Sequence, residues 1–278
     1  MNELDPRFTL ARPEQAALAL EGVVDAPRYT LPHPMRMARP SAGLHRAPDP
    51  ASERMDELIY GERFDALGEQ GDFLWGQARR DGYVGYVARD ALTLADGLPT
   101  HRVRAIRTFA FVQPSIKSRP VGPLSLNALI RIEAEEGDFA RDEDGFWFWH
   151  EHLAPIGVFE PDPAAVAERF LGAPYLWGGR TSVGLDCSGL VQQALYACGQ
   201  ACPRDTDLQA DLGRTVTRAE LARGDLVCWN GHIGMMLDAE RLIHANGHHM
   251  AVAIEPVDDA IARIEARAGA TTFRRLTP

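Results

Sequence analysis

The sequence predicts an α+β chain in which two small β-barrels stand in tandem before a domain of helices packed on an antiparallel sheet. Three observations lead there. From Cys187 onward, apolar or small side chains recur at Leu190, Val191, Ala194, Leu195 and Cys198, the stripe of an amphipathic helix. Three strand patterns then follow closely, Leu226–Trp229, Ile233–Leu237 and Leu242–Ala245, and helices followed by adjacent strands are the order of an α+β domain. Ahead of both, from about residue 41 to 157, short alternating runs punctuated by glycine go through one plan twice.

Composition narrows the class. With 278 residues, 45% of them hydrophobic and 24% charged, the chain has material for more than one globular domain. A net charge of -10 argues against nonspecific nucleic-acid binding and against attraction to anionic lipid, so neither nucleic acid nor membrane is an expected partner. Four cysteines, Cys187, Cys198, Cys202 and Cys228, all lie in the last third and form no disulfide framework, which points to a reducing compartment. The first twenty residues carry Glu3, Asp5 and Glu14 and lack a basic stretch leading into an apolar core. No signal peptide is therefore expected, unless the chain was trimmed, and no run approaches the ~18 apolar residues of a membrane span. The expected location is the cytoplasm.

Taken in order, residues 1–40 read as an N-terminal arm, because Pro27, Pro32, Pro34 and Pro40 favour extended chain. Residues 41–97 read as a first barrel, with strands at Glu57–Tyr60, Arg63–Gly68, Phe73–Ala78 and Gly82–Val87. Residues 98–160 read as a second, with strands at Arg104–Phe111, Ala128–Glu135, Gly137–Ala140 and Phe146–His150. An echo links them: Glu69-Gln70-Gly71-Asp72-Phe73 against Glu135-Glu136-Gly137-Asp138-Phe139. Pro161 and Pro163 open the last domain, residues 161–278, with a short helix at Ala164–Leu171 before the Cys187 helix and Val252–Pro256 as a fourth strand.

Cys187 falls in the first turn of its helix, where the macrodipole favours thiolate over thiol. His232 opens one strand pattern and His244 lies in the next, across the turn Asp238-Ala239-Glu240-Arg241. Both occupy even positions, so antiparallel pairing can place them on one face. Nucleophile, base and orienter then fall into line if that face meets the helix start. The third place can be filled by a ring nitrogen of His244 or by the amide of Asn246. His248 and His249 suggest a metal, but consecutive side chains point apart and no carboxylate or cysteine completes a ligand set. They read as loop or substrate-rim residues, and neither metal nor cofactor is expected.

These residues resemble the NlpC/P60 cysteine peptidases of bacterial cell-wall peptides. The blocks Pro174-Tyr175-Leu176-Trp177-Gly178-Gly179, Asp186-Cys187-Ser188-Gly189-Leu190-Val191, Arg223-Gly224-Asp225-Leu226 and Gly231-His232-Ile233-Gly234 match in order, over about residues 164 to 257. The two barrels resemble the bacterial SH3 domains that accompany the γ-D-glutamyl-L-diamino acid endopeptidase branch, through Leu58-Ile59-Tyr60-Gly61-Glu62 and the Gly-Tyr-Val-Gly-Tyr run at 82–86.

The resemblance implies a papain-like catalytic domain with Cys187 as nucleophile, His232 as general base and acid, and His244 as third member. It implies an oxyanion held by the Cys187 N–H and the Tyr175 hydroxyl. It also implies that a free L-Ala amine is gripped by Glu62, Tyr83 (or Tyr86), Asp186, Ser188 and Thr206, the last standing where the family usually has serine. The expected activity is hydrolysis of the γ-D-glutamyl–diamino acid bond, to diaminopimelate or Lys, of free murein peptides during cell-wall recycling. A secreted hydrolase or amidase of intact wall, and a catalytically silent module that binds wall peptide, are the alternatives. The intact cysteine and histidines weigh against the silent module.

Overall fold

The computed structural model describes residues 4–276, and the chain divides at Leu153/Ala154 into two compact units. In the first unit, strands β1 (His33–Met37), β2 (Ser41–His45), β3 (Arg54–Ile59), β4 (Arg63–Gln70), β5 (Phe73–Ala78), β6 (Val84–Ala88) and β7 (Leu92–Leu94) form one antiparallel sheet in the order β7-β1-β4-β5-β6-β2-β3. Met37, Leu44, Leu58, Phe64 and Val87 are its core, all fully buried. The segment expected to be an arm thus supplies a strand of this sheet. Pro34 lies outside the stretch that β7 pairs, Met35–Met37, so its missing N–H costs no ladder bond there. Nearer the N-terminus, Ala11–Arg12, Gln15–Ala17 and Tyr29–Thr30 make a separate three-stranded sheet.

The second half of this unit has β8 (His101–Val103), β9 (Arg107–Phe111), β10 (Pro120–Ser125), β11 (Leu129–Ile130), β12 (Ile132–Glu136), β13 (Phe139–Asp142) and β14 (Trp147–Trp149). Five of them order as β10-β9-β14-β13-β12. Strand β10 escaped the sequence reading because Pro120 and Pro123 argue against a strand. It sits at the sheet edge, where proline is tolerated. The echo has a physical cause: Gly71-Asp72 and Gly137-Asp138 are matching two-residue hairpin loops, between Gln70↔Phe73 and Glu136↔Phe139, with glycine φ of 58° and 57°.

Tyr60 ties the halves of this unit together. Its ring packs in the second core beside Phe148, and its hydroxyl lies 2.6 Å from Asp142 and 2.8 Å from Asp144. Its carbonyl accepts the Leu129 N–H at 2.8 Å. Gly61 follows at φ +77°, and a Cβ there would sit 1.9 Å from the Leu129 carbonyl oxygen. Only glycine fits the turn between Tyr60 and Glu62.

In the second unit, α1 (Pro163–Glu168) begins with Asp162 capping the Ala164 N–H at 2.9 Å and proline in the first turn, and ends before the expected Leu171. A short hairpin, β15 (Arg180–Thr181) and β16 (Gly184–Leu185), leads into α2 (Cys187–Ala197), which is buried along its whole length. Then come α3 (Thr206–Gln209), β17 (Arg214–Thr215), β18 (Leu226–Trp229), β19 (His232–Met236), β20 (Arg241–Asn246), β21 (Ala251–Pro256), α4 (Val257–Ala268) and β22 (Thr272–Arg275). The antiparallel sheet runs β17-β22-β18-β19-β20-β21, and α2 packs on β19 and β20. Arg223 and Asp225 hold the entry to β18: Arg223 bonds Asp162 and Glu168 at 2.7 Å each, and Asp225 caps the Ala222 N–H at 2.8 Å.

Gly61→Ala should destabilise the first unit by roughly 2–4 kcal/mol, from left-handed backbone strain plus overpacking. Hydrogen exchange in residues 54–70 of the full chain should accelerate by roughly 30- to 900-fold. Unchanged protection would contradict this role for the turn.

Candidate active site

The site is built where α2 begins. Asp186 is the helix N-cap: Oδ1 accepts the Gly189 N–H at 2.8 Å and Oδ2 accepts the Gly178 N–H at 2.8 Å. Arg204 clamps the same carboxylate at 2.6 and 3.0 Å and donates to the Ser188 hydroxyl at 2.6 Å. The Arg204 side chain is only 1% exposed. Asp186 and Ser188 are therefore both bonded to a buried guanidinium, and Asp186 fixes the helix start as its cap. Thr206 is the first residue of α3 and is half-buried.

Cys187 is 5% exposed. Backbone N–H groups of Ile233 and Ser188 point at its sulfur, which places the thiol against the first residues of β19. Burial, then the neighbouring Asp186 carboxylate, push the thiol up to about 12. Desolvation and a like charge thus oppose the pull of the helix terminus toward thiolate. Cys228 is pushed up to about 12 by burial as well, so acidity does not single out Cys187; its place against the strand that His232 opens does.

His232 and His244 share one face of the sheet. The register Met235↔Ile243 and Met236↔Leu242 sets them diagonally across β19 and β20, and His232 Nε2 lies 2.8 Å from His244 Nδ1. Opposite His244, Gly234 leaves room for the ring: a Cβ there would come within 3.0 Å of the His244 Cβ. The Trp229 ring tilts over His232 at 5.5 Å. His244 is fully buried, and its Nε2 lies 2.6 Å from Glu255 Oε1 on β21. Arg263 of α4 in turn grips both Glu255 oxygens, Oε2 at 2.6 Å.

Glu255 gives this chain a direction. Hydrogen bonds from His244 and Arg263 hold its carboxyl well below the usual range, so it stays ionised and can only accept. His244 must then carry its proton on Nε2 and present a bare Nδ1. His232 donates to that Nδ1 from Nε2, which leaves its own Nδ1 bare. Burial, His244 and Arg263 push His232 down to about 3, so the ring is a neutral base across the working range.

Asn246 does not orient His232. Its amide donates to the His244 carbonyl at 3.3 Å and its oxygen accepts from His249 N and Nδ1 at 2.8 and 3.0 Å. Tyr175, anchored by its N–H to the Met250 carbonyl at 3.0 Å, feels Cys187 and Asp186 as neighbouring charges. Burial and these charges raise its hydroxyl above the usual range, so it remains a donor. The sequence reading missed Glu255 and Arg263. The signal for Arg263 was present, since Val257, Ala260, Ile261, Ile264 and Ala268 carry a helical period that leaves Arg263 beside them on α4.

The remaining expected residues lie in the first unit. Glu62 is 2% exposed, its Oε2 accepting the Ile59 N–H at 3.0 Å and its Oε1 the Arg80 guanidinium at 2.9 Å. Tyr83 packs edge-on to Phe8 at 5.5 Å, three residues after Arg80. The Tyr86 hydroxyl instead meets Arg12 at 3.1 Å and Gln70 at 3.3 Å.

Comparison with known proteins places both units. Residues 172–265 match the NlpC/P60 family, and residues 44–92 match the bacterial dipeptidyl-peptidase SH3 domain. The chain is 24% identical to dipeptidyl-peptidase 6 of Lysinibacillus sphaericus over 246 residues, covering 78% of this chain and 89% of that protein. It is 26% identical to the γ-D-glutamyl-L-lysine dipeptidyl-peptidase of Bacillus subtilis over 212 residues, covering 68% and 71%. An NlpC/P60 family protein from Bacillus cereus superposes with a TM-score of 0.76 at 20% identity, over 88% of this chain and all of that one, which shows a shared fold. Residues 172–265 are thus an NlpC/P60 domain standing behind a bacterial SH3 domain, and the protein is a cysteine peptidase.

Proposed function

We propose that the protein hydrolyses the γ-D-glutamyl–diamino acid bond of short murein peptides that carry a free N-terminal L-Ala. The observation that carries the mechanism is the directed chain His232–His244–Glu255, which leaves His232 Nδ1 bare at the start of the strand whose Ile233 N–H points at the Cys187 sulfur. As Cys187 Sγ attacks the scissile carbonyl, His232 Nδ1 takes the thiol proton. The imidazolium that forms is stabilised through His244 by Glu255. The first-turn Cys187 N–H has no intrahelical partner, and with the Tyr175 hydroxyl it would hold the oxyanion. Collapse breaks the amide, and His232 returns the proton to the leaving amine. Water, deprotonated by the same nitrogen, then cleaves the thioester.

Substrate class rests on the relatives, whose names describe dipeptidyl-peptidases acting at γ-D-glutamyl-L-lysine. Removing a dipeptide requires recognition of a free amine. Glu62 supplies the carboxylate in this reading: its partner Arg80 is 19% exposed and can give way, whereas Arg204 beside Asp186 is sealed. Tyr83 joins it, since Tyr83 shares a turn with Arg80 and Tyr86 is tied to Arg12 instead. Free peptides of this size are products of wall turnover, so the proposed setting is recycling in the cytoplasm.

Two experiments follow. Purified protein should convert L-Ala-γ-D-Glu-diaminopimelate to L-Ala-D-Glu and diaminopimelate, identified by mass, and Cys187→Ala should abolish turnover. N-acetylation should slow the wild type roughly 10- to 150-fold in kcat/KM, the worth of a charge-assisted bond, and Glu62→Gln should erase most of that difference. Equal wild-type rates on both peptides would contradict amine recognition.

The relay predicts a ranking and a pH profile. Glu255→Leu frees the His244 tautomer and should lower kcat at least about tenfold with KM little changed, a fraction of what a wrong tautomer costs in a serine triad. Asn246→Ala should lose less. Because the active form needs His232 unprotonated and its pKa is lowered to about 3, kcat/KM should stay level as pH falls from neutrality through the ordinary imidazole range. An acid limb centred near the free-imidazole value of about 6.5 would contradict the assignment.

A further inference from the structure

One cluster in the second unit is not used by the peptidase chemistry alone. His244, His249 and Glu255 each offer a donor atom, and these three atoms lie within 4.8 Å of one another. In sequence His248 and His249 have no carboxylate beside them to complete a ligand set, and the pairing of β20 with β21 supplies one, Glu255. Two imidazoles and a carboxylate, with a fourth position open to water, form a donor set suited to zinc.

The supporting contacts suit a ligand set. Asn246 Oδ1 accepts from His249 Nδ1 at 3.0 Å, which leaves the lone pair of His249 on Nε2 and fixes its ring, as outer partners of metal-binding histidines do. Arg263 holds the Glu255 carboxylate in place. His249 is exposed, so an ion has a way in. The 2.6 Å separation of His244 Nε2 and Glu255 Oε1 would widen to ~3.3 Å around a tetrahedral zinc. Arg263 competes for the carboxylate charge, which suits a reversible, micromolar site better than a structural one.

We propose that His244, His249 and Glu255 form an inhibitory zinc site that silences Cys187 by reversing the tautomers of two histidines. The inhibition rests on the catalytic reading above; the binding does not. Zinc takes the His244 Nε2 lone pair, so that nitrogen gives up its proton. The His232 Nε2 proton crosses the 2.8 Å bond to His244 Nδ1. His232 Nε2 is now the acceptor, and the displaced proton settles on His232 Nδ1. Each ring still holds one proton, but the nitrogen that should take the thiol proton is filled.

The test uses the full chain in two arms. In calorimetry with zinc chloride, Cys187→Ala should bind one ion at micromolar concentration, and adding His249→Ala should weaken it at least about tenfold. In the second arm, zinc should slow iodoacetamide alkylation of wild-type Cys187 as well as peptide hydrolysis. Each rate is scaled to the same variant without zinc, and His249→Ala should raise the half-inhibiting concentration by the same factor. Loss of binding in Cys187→Ala, with inhibition unmoved by His249→Ala, would put zinc on Cys187 and His232 and overturn the proposal. So would binding at His249 that leaves alkylation unchanged. Failure to hydrolyse the peptide would count against the proposed function alone, because calorimetry and alkylation need no substrate.

Discussion

The ionised carboxylate of Glu255 is the constraint on which the site depends. A carboxylate that can only accept decides which nitrogen of His244 is protonated, and that decides the same for His232. Without it, two neutral imidazoles in contact have two arrangements of nearly equal worth, and only one leaves a base for the thiol. Arg263 keeps Glu255 charged and in place, so the terminal anchor of the chain comes from α4, an element remote in sequence from the cysteine.

The rest of the second unit serves to bring this chain against one sulfur. The β19–β20 register puts both histidines on one face. Packing of α2 on the same strands brings Cys187 against the start of β19, where the Ile233 N–H points at its sulfur. The Asp186–Arg204 pair, sealed from water, holds the helix start from the other side. Burial has a second effect: it disfavours charge on both partners, so the resting state is thiol and neutral imidazole. Charge separation then accompanies attack on the carbonyl, when an oxyanion develops near donors already in place.

Much of this was legible in the sequence, and the gaps have physical causes. The helix of Cys187 and the strands of His232 and His244 were readable because their apolar periods are strong and their turns short. Strand β10 was hidden by prolines that only an edge position tolerates, and β1 by prolines near its start. Glu255 was not legible: it sits at an alternate position of an ordinary strand, and its meaning appears only when β21 pairs with β20 and sets it against His244. Arg204 was not legible either: it lies eighteen residues downstream of Asp186, and only the fold brings it to bond both Asp186 and Ser188.

The central claim is the placement of two protons, and nitrogen NMR of histidine-labelled protein reads it directly. In metal-free wild type at neutral pH, His232 and His244 should each show a protonated Nε2 and a bare Nδ1. A proton on His232 Nδ1, or a charged His232 ring in the resting enzyme, would contradict the account.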